Sequence, residues 1–224
     1  MLREIGPGIA VAEVPFKLAG INFGLRMTVI KLSTGELLLH SPVAFSAELQ
    51  AAVDGFGKVA HIVAPNSVHH LFAKPWLTAY PNAKFYCVPE LPPKRPDLPK
   101  AILLNVGTPS PWGAEVEMAV LRASKFYVEA VFFHVASGTL ITTDLVFNIR
   151  DEQRWADRVA FKLYGCYGHF GPTRTTKLLI RDRSHARAVI DRIAQWPIKR
   201  VTMAHGKVFD PATSSDWRAV FAWL

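Results

Sequence analysis

Residues 58–72 read KVAHIVAPNSVHHLF. KVAHIV has the look of a buried strand, and Pro65-Asn66 is a turn signal. A helical stretch then runs through Trp76 to Tyr80. A strand that stops at a polar turn and restarts as a helix is a common position for metals and catalysts, because a rigid sheet aims the loop side chains. His69 and His70 stand side by side at this corner. They are read either as metal ligands or as the plain start of a helix.

Outward from the corner, NFGLRMTVIKL (22–32) and STGELLLHS (33–41) read as two strands around a Ser-Thr-Gly turn. SAELQAAVDGFG (46–57) has a Ser cap, apolar residues at helical spacing and a terminal Gly. KFYCV (84–88) is a further short strand. PELPPKRPDLPK (89–100) holds five prolines and is a loop. AEVEMAVLRA (114–123), YVEAVFFHV (127–135) and GTLITTDLVFN (138–148) follow as three strands. From 151 the pattern is helical to Trp196-Pro197, broken by the glycine-rich YGCYGHFGP (164–172). RVTMAHG (200–206) is the last strand, and TSSDWRAVFAWL (213–224) the last helix. Two runs of strands with helices outside them make a single α/β domain over 1–224, a four-layer αββα sandwich of two mixed sheets face to face.

The composition narrows the class. Half of the 224 residues are hydrophobic and a fifth are charged, as in a globular domain with a substantial core. No apolar run reaches the ~18 residues that span a bilayer. MLREIGPGIAVAEVPF lacks the long apolar region of an export signal, so the expected compartment is the cytoplasm. Two cysteines, Cys87 and Cys166, are read as reduced thiols. Lys and Arg exceed Asp and Glu by 26 − 18 = 8, with the excess concentrated in 174–200. Its basic residues recur at roughly helical spacing, which reads as a solvated helix face. No RNA-binding fingerprint or Cys/His finger spacing accompanies it, so nucleic acid is not the expected partner. The partner expected is a small-molecule substrate.

Ligand-type residues fall at several strand ends. His69 and His70 follow AHIV, Asp144 ends GTLITTD, and His205 ends RVTMAH before Gly206. Ligands from the same ends of several strands converge in space although they are distant in sequence. Imidazole and carboxylate together suit Zn²⁺, Fe²⁺ or Mn²⁺. Asp144 has an alternative reading as a turn cap, and His205-Gly206 as a strand-ending turn. His169 reads as a loop residue, and His40, His61 and His134 as packed histidines within strands. Cys166 is read as no nucleophile, since the flexible loop does not hold it against His169. No G-x-S-x-G elbow, P-loop or G-x-G-x-x-G is present, which weighs against serine-hydrolase, NTPase and dinucleotide readings.

The order of these pieces resembles the metallo-β-lactamase fold superfamily of metal-dependent hydrolases and oxidoreductases. LRMTVIKLSTGELLLHSPVAF, VAHIVAPNSVHHLF and GTLITTDLVFN are most similar to an uncharacterised branch known as a domain of unknown function. The resemblance covers about residues 20–206 and implies a metal site at the mouth between the two sheets. The superfamily motif H-x-H-x-D-H, laid on this corner, places its first two histidines on Pro65 and Ser67. Its Asp falls on His69 and its last His on His70. The next histidine falls near Lys125, while the bridging aspartate matches Asp144 and the final histidine His205. The resemblance therefore implies one divalent metal rather than two, with Zn foremost and Fe or Mn as alternatives. Its ligands would be His70, Asp144 and His205, with His69 as a fourth ligand or proton shuttle. Asn66 would donate to the developing oxyanion. The expected function is a mononuclear hydrolase of an ester, lactone, amide or phosphoester. The alternative is a degenerate, metal-free family member that binds a ligand or partner. Redox chemistry at a single iron has no flavin or second-domain signal behind it.

Overall fold

The apolar runs on either side of Ser33-Thr34-Gly35 form an antiparallel hairpin, with Lys31 opposite Leu37 and Thr28 opposite His40. Gly35 takes φ +82° in the turn, a conformation that strains any residue with a Cβ. The computed structural model describes residues 1–150 and 154–224. In chain order the first half comprises β1 (Leu2–Gly6), β2 (Ile9–Val14), β3 (Lys17–Leu18), β4 (Ile21–Asn22), β5 (Leu25–Lys31) and β6 (Glu36–His40). It continues with α1 (Ala47–Phe56), β7 (Lys58–Ala64), α2 (Ala73–Ala79), β8 (Lys84–Cys87) and β9 (Ile102–Leu103). The second half has β10 (Val116–Ser124), β11 (Tyr127–His134), β12 (Thr139–Ile141), β13 (Phe147–Asn148), α3 (Trp155–Tyr164) and β14 (Phe170–Gly171). It ends with α4 (Arg174–Leu179), α5 (Arg183–Ile193), β15 (Arg200–Thr202) and α6 (Ser214–Val220).

Two mixed sheets result. The first has the order β1-β2-β5-β6-β7-β8-β9 and the second β10-β11-β12-β15. Period-two alternation sorts their side chains into layers. Met27, Val29, Leu39 and Ile62 face outward and pack on Leu49 and Val53 of α1 and Trp76 of α2. Ile30, Leu38 and Val63, on the opposite face, meet Met118, Val120, Ala130 and Phe132 of the second sheet. That sheet turns Leu121, Val131 and Val201 to Ile190 and Ile193 of α5 and Trp217 of α6. The architecture is the expected αββα sandwich.

Several boundaries differ from the sequence reading. The first fourteen residues, left without an element there, pair as β1 and β2 and extend the first sheet beside β5. The expected strand 138–148 stops at Ile141, and the expected strand 200–206 stops at Thr202. Both stop because the chain turns there to enter the site. The helical start expected at 151 lies outside the described residues, and the long helical run resolves into α3, α4 and α5. α5 turns Ala186, Ile190 and Ile193 inward and leaves Arg183 and Arg192 exposed, the solvated basic face expected. Among the described residues, no helix is long and apolar enough to cross a membrane.

The strand directions decide where the loops meet. β6, β7 and β8 run parallel to one another, and so do β12 and β15. Ser41, the 65–70 corner, Asp144 and His205 all follow the C-terminal ends of these strands. That edge is where open α/β sheets hold ligands.

Cys87 and Cys166 are unpaired and fully buried, and burial pushes both thiols up to about 12. Native protein at pH 8 should therefore leave both thiols unreacted with Ellman's reagent for many minutes. Both should react at once in guanidinium chloride. Rapid reaction of either thiol in the native state would contradict this packing.

Candidate metal centre

The corner after β7 is tied down before it presents any ligand. The Pro65 carbonyl accepts from the Ala130 amide of β11 at 2.8 Å, fastening the first sheet to the second. Asn66 Oδ1 accepts from the backbone N–H of Val68 (2.8 Å) and of His69 (2.7 Å), a side-chain-built turn. Its Nδ2 donates to Thr143 Oγ1 and to Asp144 Oδ2, both at 2.9 Å. Asn66 is buried and both of its N–H groups are spent. As built, Asn66 orients Asp144, and donation to an oxyanion, the role expected for it, would need one of these bonds to open.

The turn sends the two adjacent histidines in different directions. His69 enters the site, with Nδ1 2.8 Å from Ser41 Oγ and Nε2 3.2 Å from Asp144 Oδ1. The His70 amide donates to the Val68 carbonyl, and its ring lies against the proline-rich loop, with Nδ1 2.8 Å from Arg95 Nη1. Burial and the Arg95 charge lower the pKa of His70, so the neutral ring accepts from the guanidinium. Of the two histidines expected as ligands, His69 stands in the group and His70 faces Arg95 outside it. His205 completes the group, its Nε2 3.4 Å from the same Asp144 Oδ1. Its Nδ1 donates to the Gly24 carbonyl at 2.8 Å, and its ring stacks on Phe147. The ligand atoms of His69, Asp144 and His205 all lie within 4.8 Å of one another.

Backbone supports hold the two loops that carry Asp144 and His205. The Thr143 and Asp144 amides donate to Glu129 at 2.6 and 3.0 Å, and the Tyr127 hydroxyl donates to it at 2.9 Å. Glu129 is fully buried and was missed in the sequence, where the signal was a lone charge within YVEAVFF. Arg26, itself paired with Glu13 at 2.7 Å, donates across the sheets to the carbonyls of Met203 and Gly206. Gly206 has φ +86°, and a Cβ there would overlap the Asn148 carbonyl. The loop after His205 is therefore built for glycine alone.

Charge follows this geometry. Burial alone would raise the Asp144 carboxyl, but the His69 charge and the hydrogen bonds from His205 and His69 outweigh it. Asp144 is held far below the usual carboxylate range. Burial works against His69, and the Asp144 charge with its hydrogen bond overcomes that and raises His69. Burial and the Asp144 charge raise Glu129, while its three donors pull the other way.

A divalent cation fits these residues. Gly24 O can only accept, so the Nδ1 of His205 carries a proton and Nε2 is the nitrogen that would hold a cation. Metal–ligand bonds of about 2.0–2.1 Å at tetrahedral angles set ligand atoms about 3.3 Å apart, which matches the separations of 3.2 and 3.4 Å. Two imidazoles and one carboxylate, each fixed by an outer partner, form a donor set for Zn²⁺, Fe²⁺ or Mn²⁺.

The other candidates lie apart from the group. His169 is exposed, with Nδ1 3.1 Å from the Tyr167 carbonyl. His61 and His134 pair with Tyr86 and Ser137, and His40 packs edge-on against Phe132. Ser67 accepts from Lys94, and Lys125 lies over the Phe126 ring.

An αββα sandwich with a His-Asp-His group at the mouth between its sheets defines a protein of the metallo-β-lactamase fold. Solved structures agree over the whole chain. The putative diflavin flavoprotein A 5 (fragment 1–254) from Nostoc sp. PCC 7120 has a TM-score of 0.69 at 15% identity, covering 100% of this chain and 94% of that one. The metal-soaked Flv1 flavodiiron core from Synechocystis sp. PCC6803 has 0.66 at 11%, covering 100% and 60%. DIM-1 metallo-β-lactamase exposed to ceftazidime has 0.64 at 14%, covering 100% and 96%. At such identities the likeness is one of fold. Residues 12–162 match the family described as a domain of unknown function (DUF4336), and the chain belongs to that family. No curated protein sequence matches it.

Asn66→Ala removes a buried side chain that serves four hydrogen-bond partners. It should lower the unfolding free energy by about 2–3 kcal/mol, read from urea unfolding. A loss under about 0.5 kcal/mol, the size of an ordinary surface change, would show that the corner holds its shape without this amide.

Proposed function

We propose that the protein is a hydrolase dependent on one divalent metal, held by His69, Asp144 and His205, and acting on an ester, lactone, amide or phosphoester. The observation that carries this is the convergence of two imidazole Nε2 atoms on one carboxylate oxygen, with both Nδ1 atoms already tied to Ser41 and Gly24. When bound, the metal would act as a Lewis acid on the scissile group and lower the pKa of a water toward ~7.

The chain's own residues supply position and environment. Ser41 and the Gly24 carbonyl set the ring planes, so that little freedom is lost when a ligand arrives. Asn66 takes Asp144 Oδ2 as an acceptor and leaves Oδ1 aimed at the two rings. Glu129 holds the Thr143-Asp144 backbone. His69, Asp144 and His205 form the polar part of the lining of a pocket of about 200 Å³ whose remaining walls are apolar. Such walls keep bulk water away from the reacting group. The cytoplasm is the compartment we assign to this activity.

A second reading has a specific observation behind it. The raised His69 would be charged against Asp144, and that ion pair needs no metal. The protein would then be a metal-free binding protein that keeps the pocket without the chemistry.

Metal analysis separates the two. Full-length protein loaded with Zn²⁺ and desalted should carry about one metal per chain, and its Tm should rise with Zn²⁺ by mass action. Asp144→Ala and His205→Ala should each lose both effects, while His70→Ala should keep them. Less than about 0.1 metal per chain, with no rise in Tm from Zn²⁺, Mn²⁺ or Fe²⁺, would establish the metal-free reading.

A further inference from the structure

The geometry points to a neutral carbonyl substrate with an alkyl chain, an acyl ester or lactone, whose chain lies in the pocket beside His69, Asp144 and His205. The proposal rests on the hydrolase reading above and gives that site its substrate class. Phe23, Phe72 and Phe147 form inner walls of the pocket. Leu18, Val68 and Leu71 line it as well, yet are 59%, 58% and 51% exposed. A single exposed apolar side chain is ordinary. Three of them, from β3, the 65–70 corner and the approach to α2, around one opening make an apolar rim continuous with an apolar interior. Such a surface marks a ligand site.

The lining sets the charge preference of the substrate's chain. Among the described residues that line the pocket, none is lysine or arginine. Beyond Leu71 stand Lys74 and Arg95, both bonded to Asp97, at 3.1 and 2.7 Å, and Arg95 also to His70. Beyond Phe23 and Leu25 stand Arg26, paired with Glu13, Arg150, bonded to Asn148, and Lys207. Away from a metal held by His69, Asp144 and His205, an anionic group in this pocket would meet no lysine or arginine of its lining, a costly burial. An ester or lactone carbonyl brings no charge. Its hydrolysis breaks the acyl C–O bond and adds the elements of water. The acyl carbon ends as a carboxylate, the leaving oxygen takes one hydrogen as an alcohol, and one proton goes to solvent.

The test begins without catalysis. Chelator-treated full-length protein is titrated calorimetrically with 1-octanol, 1-butanol and sodium octanoate. Octanol should bind saturably and at least tenfold more tightly than butanol, since each buried methylene contributes about fourfold. Octanoate should bind more weakly than octanol. Leu71→Asp, at a half-exposed position that tolerates a polar residue, should weaken octanol at least fivefold, and Val68→Asp should do the same. Equal affinities for octanol and butanol, or tighter binding of octanoate, overturn the assignment. The Zn²⁺-loaded protein is then assayed with 4-nitrophenyl acetate and octanoate, where kcat/KM should favour the octanoate ester at least tenfold. Chain-selective binding with no hydrolysis would sink the hydrolase reading and with it the substrate claim, leaving an alkyl-chain binding site. Hydrolysis with no chain preference in binding or rate would keep the hydrolase and sink the alkyl pocket.

Discussion

The Asp144 carboxylate is the joint on which the two sheets of this protein close. It projects from the turn after β12 in the second sheet, and it receives Asn66 and His69 from the corner after β7 in the first. His205, from the loop after β15, reaches the same oxygen while its other nitrogen holds the Gly24 carbonyl of the first sheet. A buried carboxylate is costly unless it is paired and hydrogen-bonded. Asp144 is tolerable there because side chains from two other segments, the corner after β7 and the loop after β15, meet it. Remove the convergence and the group becomes a liability to the fold.

This requirement explains the polar architecture behind the site. Glu129 occupies two backbone amides of the Asp144 turn, and Arg26 occupies the carbonyls on either side of His205. Each loop is thus held by a buried ion from a rigid strand rather than by its own conformation. Relative to the superfamily motif, Pro65 and Ser67 stand where two histidines would. The corner retains its shape because Asn66 supplies through one amide what the turn needs. His69, Asp144 and His205 stand together beside an apolar pocket at one edge of the sandwich.

Much of the fold was legible in the residues. The Ser-Thr-Gly hairpin, the Ser46-capped α1 and the strands flanking the corner carry strong local signals, and the layers follow from period-two alternation. The β1–β2 hairpin carries a weak local signal: its first strand has no buried residue and no apolar alternation to reveal it. The third strand of the second sheet looked longer than it is. Thr142, Thr143 and Leu145 are buried, but against the site and the helix layer rather than in a ladder.

The site was legible in its positions and misread in one orientation. Asp144 and His205 could be named because an isolated carboxylate and a His-Gly pair end apolar strands. His69 and His70 share one corner, and nothing in their order tells which ring faces the site. That choice is made by Asn66 Oδ1 taking the His69 amide, and by Arg95, twenty-five residues on, taking the His70 ring. Glu129 escaped notice because its partners are backbone amides fourteen and fifteen residues away. By itself the sequence determined the layers, the strand ends and the kinds of ligand, all of which rest on local pattern. The tertiary structure alone decided which histidine faces Asp144, what holds the carboxylate, and that among the described residues no lysine or arginine lines the pocket, because those are contacts between segments that are neighbours only once the sheets have closed.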